Sequence, residues 1–337
     1  MSTLLFNKSR PFGDITNRPL SNPINNKHVK KPAPQHHAFK PLSANKKVRV
    51  HKTPVVQKSI TKPNYIDIDA ADKANHVEAS DFAAIIHTNN LLAERTHIPC
   101  SNYIKTHETI TPKMRSILVD WLADVCVTLK LCDKTFHLCI HILDRYLEKH
   151  QPTVKTLQLV GSVCLYIAAK YEEIYAPHAN DLSVLSAGAF TMADVFTMEA
   201  HILNALQFQV TTPYTLTFFA RIEKTLFAKG ITPLVAHKIS STAQFIAELA
   251  MVDGLHLNYR PSQLAAAAVH LAVNHLNVPI SWCESLSFHS GWQRCELHSC
   301  ALKLKELVCG AKYPKNGRFT AIHRKFSATS TLMCTQI

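Results

Sequence analysis

The sequence predicts an all-α protein: two tandem five-helix units, preceded by an N-terminal helix and a disordered basic tail. Three observations carry this. Apolar residues recur at helical spacing from about residue 113 to about residue 310, and no convincing alternating run marks a strand. Two of these patterns, "LQLVGSVCLYIAAK" and "SQLAAAAVHLAVNH", are rich in small side chains and stand about 105 positions apart. Small side chains suit a helix enclosed by neighbours at close approach, so each reads as the middle helix of a repeated unit. Finally, prolines and basic residues gather in one segment at the start of the chain.

That segment, residues 1–63, holds eight of the seventeen prolines and thirteen Lys and Arg against the single acid Asp14. It has too little apolar surface to offset the entropy of ordering and reads as a disordered tail. An N-terminal extension, residues 64–110, follows. Within it Phe82, Ile85, Ile86, Leu91 and Leu92 suit a helix capped by Ser80 or Asp81, and Pro99 closes that region. Pro112 sits near the start of the next helix. The first unit, residues 111–210, contains helical patterns at 113–130, 134–149, 154–171, 181–187 and 191–207. Pro213 breaks the chain after "QFQVTT". The second unit, residues 211–326, contains patterns at 214–228, 232–252, 261–276, 281–288 and 292–310, and residues 327–337 form a C-terminal tail.

Composition narrows the function. The 337 residues, 47% of them hydrophobic, suffice for two packed domains. No run of about 18 apolar residues predicts a membrane span, and no signal peptide is recognisable at the N-terminus, so an intracellular protein is expected. The ten cysteines are scattered without a CxxC pair, which predicts reduced, buried thiols. Cys295, His298 and Cys300 match no common zinc spacing, so no metal and no cofactor are expected. The net charge of +13 resides in the tail, because the other 274 residues carry 24 bases and 23 acids. A nucleic-acid-binding domain is expected to carry its basic patch on a folded face, so no nucleic-acid partner is predicted. No Gly-rich phosphate loop, nucleophile elbow or HExxH motif points to an enzyme.

One stretch has more apolar surface than a core requires. In "MRSILVDWLADV", Met114 to Val125, steps of 100° per residue spread the apolar side chains over an arc of roughly 200°, where a core-facing stripe needs about 100°. A single core contact absorbs Val119, Leu122, Val125 and Leu129. It leaves Met114, Ile117, Leu118 and Trp121 as a second stripe, with Ser116, Asp120 and Asp124 on the remaining face. The stripe is either covered by a further helix or is an exposed groove for a partner.

"MRSILVDWLADV", "LDRYLEKH", "KTLQLVG", "AAKYEEIYAP" and "MEAHILNALQF" stand in the order and spacing of the mitotic cyclins, and "SWCESL", "CALKLKEL" and "AIHRKFS" extend the likeness through the second unit. Residues 64–326 resemble that family, most of all its A type in plant and protist forms; a B-type cyclin is the alternative within the family. A cyclin-fold transcription factor that binds DNA is a more distant alternative, and it would need a basic face on the repeats. The resemblance implies two cyclin folds and a regulatory subunit that binds and activates a cyclin-dependent serine/threonine kinase without catalysing a reaction itself. It implies an exposed patch that docks Arg-x-Leu segments of substrates and inhibitors. That patch would comprise Met114, Ile117, Leu118, Trp121, Leu157 and Gln158, with Asp124 in place of the family's usual Glu to meet the ligand's basic residue. It also implies kinase contacts at Lys170, Tyr171 and Glu199, and a buried ion pair, Arg115 with Asp144, that holds the first fold together.

In the tail, "SRPFGDITNRPL" resembles the destruction box of mitotic cyclins. Gly13, Asp14, Ile15 and Asn17 match its downstream half. Upstream, Phe12 occupies the Leu slot and Arg10 lies two positions before it instead of three. The resemblance implies recognition by the anaphase-promoting ubiquitin ligase. Lys46, Lys47 and Arg49 form a K-K-x-R cluster that reads as a nuclear import signal. Residence in nucleus and cytoplasm is expected.

Overall fold

The structure is a computed structural model that describes residues 65–75, 77, 79–311 and 319–327. The destruction-box residues Arg10, Phe12, Gly13, Asp14, Ile15 and Asn17, and the import cluster Lys46, Lys47 and Arg49, lie outside the described residues, as does Cys334.

Helix α1 spans Ser80–Ala93. The first five-helix unit comprises α2 (Pro112–Thr128), α3 (Asp133–Lys149), α4 (Val154–Glu172), α5 (Ala179–Leu185) and α6 (Met192–Ala205). The second comprises α7 (Thr215–Ala228), α8 (Pro233–Asp253), α9 (Pro261–His275), α10 (Glu284–Ser290) and α11 (Arg294–Gly310), and a short helix α12 (Thr320–Lys325) follows. No strand occurs among the described residues. Proline occupies the first turn of α2, α8 and α9, where its missing N–H costs no hydrogen bond. Thr111 caps α2 by accepting from the Met114 N–H at 3.3 Å.

The two small-residue helices are the central ones. In α4, Val160, Gly161, Val163, Cys164, Leu165, Ala168 and Ala169 are buried, and in α9 so are Ala265, Ala266, Ala267 and Ala268. Helix α4 packs against α2, α3 and α6; α9 packs against α7, α8 and α11. These are the first, second and fifth helices of each unit, which is what a repeated fold requires. Cys126, Cys139, Cys164 and Cys300 are buried as free thiols, but Cys100, Cys132, Cys295 and Cys309 are exposed, against the expectation of burial for all.

Two features depart from the sequence reading. Ala79, in the left-handed region at φ 45°, precedes α1 in the N-cap position without a side-chain bond, and Ser80 is already helical. The apolar residues of that helix also face the other way: Phe82, Ile85, Ile86 and Leu92 are exposed. Its inner side carries Leu91, packed on the core, and His87, edge-on to the Phe218 ring at 6.2 Å, and a polar anchor follows. Buried Glu94, just past the helix, accepts from the Ser262 N–H at 2.9 Å and the Ser262 hydroxyl at 2.7 Å, and Trp292 Nε1 donates to the same hydroxyl at 2.9 Å. Ahead of α1, the chain is strapped to the second unit. The Tyr65 ring stacks on Phe288 at 3.6 Å, the Ile66 N–H donates to Ser285 at 3.1 Å, and Asp69 pairs with Arg221 at 3.0 Å and Lys224 at 2.9 Å.

The units are joined by a buried ionic network. Arg115 of α2 donates to both Asp144 carboxylate oxygens of α3, each at 2.7 Å, and to Tyr103 Oη at 3.2 Å. Its Nη1 donates to the Met251 carbonyl of α8 at 2.9 Å, and His256 Nε2 lies 2.9 Å from Asp144. The pair therefore ties the two folds together and not only the first. Burial pushes the Asp144 carboxyl up, but the Arg115 charge and the His256 bond prevail and hold it well below the usual carboxylate range. Asp144→Ala strands the Arg115 guanidinium without its counter-charge and is expected to cost about 3–5 kcal/mol in urea denaturation. Tyr103→Phe removes a neutral hydroxyl that donates to Asp144 at 2.6 Å and accepts from Arg115, and is expected to cost less, about 1.5–3 kcal/mol.

Candidate docking surfaces

Helix α2 uses its whole circumference. Val119, Leu122, Ala123 and Val125 enter the core. On the opposite side Met114, Ile117, Leu118 and Trp121 meet Val154, Leu157 and Gln158 of α4, and together they line a groove of about 380 Å³. Ile117 is 42% exposed, Met114 and Trp121 are half-buried, and Leu118 and Leu157 form the floor. All six groove residues expected from the sequence thus stand together. Val154 was missed; its i, i+3, i+4 spacing with Leu157 and Gln158 was the available signal. Gly161 sets the depth of the floor, since a Cβ there would stand 2.9 Å from Leu118 Cδ1.

Of the polar residues Ser116, Asp120 and Asp124 of α2, two are buried and the third stands apart from the groove. Ser116 and Asp120 are buried, not solvent-facing. The Asp120 carboxylate accepts from the N–H groups of Thr320 at 2.9 Å and Ala321 at 3.1 Å, which caps α12. Asp124 does not line the groove; one turn beyond Trp121, it pairs with Arg324 Nη2 at 3.3 Å.

A second surface gathers at the C-terminal end of α4. Lys170 forms an ion pair with Glu199 of α6, and its ammonium lies 4.5 Å from the centre of the Tyr166 ring. The Tyr171 ring is exposed and its hydroxyl bonds Thr211 Oγ1 at 2.6 Å. Both glutamates of "YEEIYAP" point back into the protein. Glu172 accepts from the Tyr214 hydroxyl at 2.7 Å, and Glu173 accepts from the Cys132 N–H at 2.7 Å, just ahead of α3. Burial pushes the Glu173 carboxyl up, but the bonds from Thr135 and Cys132 outweigh it and hold it below the usual range. Pinned this way, the loop projects Ile174 and Tyr175 outward, each 91% exposed. Phe196, three residues before Glu199 on the same face of α6, is exposed as well. Ile174, Tyr175 and Phe196 escaped the sequence reading. The signal for the first two was a bulky apolar pair just past a helix end with no periodic partner.

Two family profiles match the chain in succession: cyclin, N-terminal domain, over residues 85–211, and cyclin, C-terminal domain, over residues 213–336. G2/mitotic-specific cyclin S13-6 of Glycine max is 37% identical over 79% of this chain and 56% of its own length. Cyclin-B2-3 of Arabidopsis thaliana is 33% identical over 78% of this chain and 59% of its own length. The X-ray structure of a viral cyclin from herpesvirus saimiri shares the fold, with a TM-score of 0.59 at 23% identity, over 66% of this chain and 96% of that one. The chain belongs to the cyclin family. Within it, the chain is a mitotic cyclin of the A/B group, and it spans less than two thirds of the length of these plant relatives. Their names are those of G2/mitotic and B-type cyclins, so the leaning of the sequence motifs toward the A type has no counterpart in these two proteins.

Gly161→Ala is expected to drive Leu118 toward the groove. Because the displaced atom ends a flexible side chain, urea denaturation should show a modest loss of about 1 kcal/mol. A loss above about 3 kcal/mol would mean that α2 and α4 move apart instead.

Proposed function

We propose that this cyclin is a non-catalytic regulatory subunit that binds and activates a cyclin-dependent serine/threonine kinase. The observation that carries the reading is the pinned loop after α4, which holds Ile174 and Tyr175 in water next to Tyr171 and the Lys170–Glu199 pair. Large apolar side chains held rigidly in solvent favour association with another apolar surface. A protein kinase is active only when its Lys–Glu ion pair and metal-binding Asp are in place together. A rigid cyclin surface that binds only the inward position of the kinase helix bearing that Glu shifts the equilibrium toward the active form. Moving from mostly inactive to mostly active takes roughly 5 kcal/mol of differential binding.

The groove between α2 and α4 supports a second role in the same complex, recruitment of substrates and inhibitors through Arg-x-Leu segments. An apolar slot of about 380 Å³ suits the leucine side chain. Such a subunit acts in progression through S, G2 and M phases, and the names of the relatives favour the B-type alternative. In the tail, Arg10 and Phe12 with Gly13, Asp14, Ile15 and Asn17 would be read by the anaphase-promoting ubiquitin ligase, and Lys46, Lys47 and Arg49 would direct import, which gives a protein of nucleus and cytoplasm.

Lys170→Ala with Glu199→Ala is expected to abolish co-purification of the kinase while circular dichroism stays that of the folded protein; undiminished co-purification would refute the assigned kinase face. Replacement of Arg10 and Phe12 by alanine is expected to stabilise the protein through mitosis, followed by immunoblot across a synchronised cycle. Unchanged turnover would remove the destruction box from the account.

A further inference from the structure

The acid next to the groove is already engaged. Asp124 lies one turn beyond Trp121 on α2, and Arg324 Nη2 of helix α12 in the same chain stands 3.3 Å from its carboxylate. Both side chains remain open to solvent, 63% for Arg324 and 41% for Asp124, so the pair can be exchanged without unfolding anything. Helix α12 is held firmly around it. Asp120 accepts from its first backbone N–H groups, and Ile322 is fully buried. Next to Arg324, Lys325 reaches inward between the two units to Glu248 at 2.7 Å and Asp133 at 2.8 Å. Phe326 then packs on the ring of Phe245 at 5.8 Å. With those anchors on either side, Arg324 is the residue of this segment left to face α2 from outside.

The groove itself offers no charge: its lining is Met114, Ile117, Leu118, Trp121, Val154, Leu157 and the neutral amide of Gln158. Asp124 is therefore the carboxylate next to it on α2 that could select a basic residue in a docked segment.

We propose that Arg324 is a specificity-determining residue of the docking groove: it competes within the chain for Asp124 and mutes the groove's preference for a basic residue ahead of the docked leucine. This rests on the docking reading of the groove. A ligand arginine gains Asp124 only by displacing Arg324, one exposed guanidinium–carboxylate contact for another, so the exchange is nearly neutral. Selection then falls on the apolar slot. Freed of Arg324, Asp124 offers a ligand arginine a contact of the strength usual for exposed pairs, about two- to fivefold in affinity. Because both charges are exposed, that gain must fade as salt screens it, over a Debye length of about 8 Å at physiological ionic strength.

The test uses the full chain and two fluorescein-labelled peptides, one with an Arg-x-Leu core and one with Ala-x-Leu, titrated by fluorescence anisotropy. The expected result is that Arg324→Ala tightens the Arg-x-Leu peptide two- to fivefold and leaves the Ala-x-Leu peptide unchanged. The gain should vanish in 0.5 M salt, on the order of a 4 Å Debye length, and in the Arg324→Ala, Asp124→Asn double variant. Equal affinity of the wild type and Arg324→Ala for the Arg-x-Leu peptide overturns the proposal, as does an equal gain for both peptides. Failure of the docking reading looks different: the Arg-x-Leu peptide then binds neither protein, or binds both with no sensitivity to Trp121→Ala, and the competition falls with it. Arg324→Met, which keeps most of the aliphatic stem without a charge or a donor, guards against an effect of lost packing; it must reproduce the gain of Arg324→Ala, and failure to do so counts against the proposal.

Discussion

The Arg115–Asp144 contact is the constraint on which the rest of the molecule depends. Two opposite charges buried together are stable only when nearly every donor and acceptor is used. Here the unused positions are filled from both units: Tyr103 from the segment before α2, Met251 and His256 from the second fold. The geometry of one ion pair thus sets how α2, α3 and α8 meet. The groove inherits this precision, because Met114 and Ile117 flank Arg115 and Ser116 on the same helix. Residue by residue, "MRSILVDW" alternates between tasks: groove, ionic tie, buried contact, groove, groove floor, core, cap of α12, groove. A helix that steps 100° per residue can serve so many neighbours only if neighbours surround it. That explains an apolar arc twice the usual width.

How much of this was legible follows from how local each cause is. The ten helices of the repeats were readable because a period near 3.6 and a proline at the start are local features. The middle helices were readable because Gly161 and Ala265–Ala268 leave no room for any other role than close packing. Helix α12 was not readable. It has six residues, and its cap is Asp120, two hundred positions earlier in the chain. For the same reason the burial of Asp120 was not foreseen. An aspartate on an apolar helix suggests solvent, and only the arrival of α12 supplies its carboxylate with backbone donors. The outward apolar face of α1 failed similarly, since Glu94 anchors the helix through Ser262.

The candidate surfaces show the same division. The groove was visible as surplus apolar surface, and the family resemblance turned surplus into a candidate site. The loop after α4 was visible only as a motif. What its residues do individually depends on Tyr214 and Cys132, which lie far from it in sequence. Glu172 and Glu173 each accept a hydrogen bond from the body of the protein, and they are the fastenings that let the two following residues stand away from it. The Lys170–Glu199 pair illustrates the limit of geometry without family: by itself it is an ordinary surface ion pair.

The strap at Tyr65–Asp69 has a mechanical consequence. Its ring stacking on Phe288, its backbone bonds to α10 and its ion pairs to α7 all lie on the second fold. Tension applied from the first residues of the chain is therefore delivered to that fold before it reaches α1, and to α1 before it reaches α2. Any motor that hauls on the N-terminus must shear the strap away, then pull the Glu94 anchor from Ser262, and only afterwards load the helices that carry the groove. The groove and the loop after α4 would be the last to feel the load.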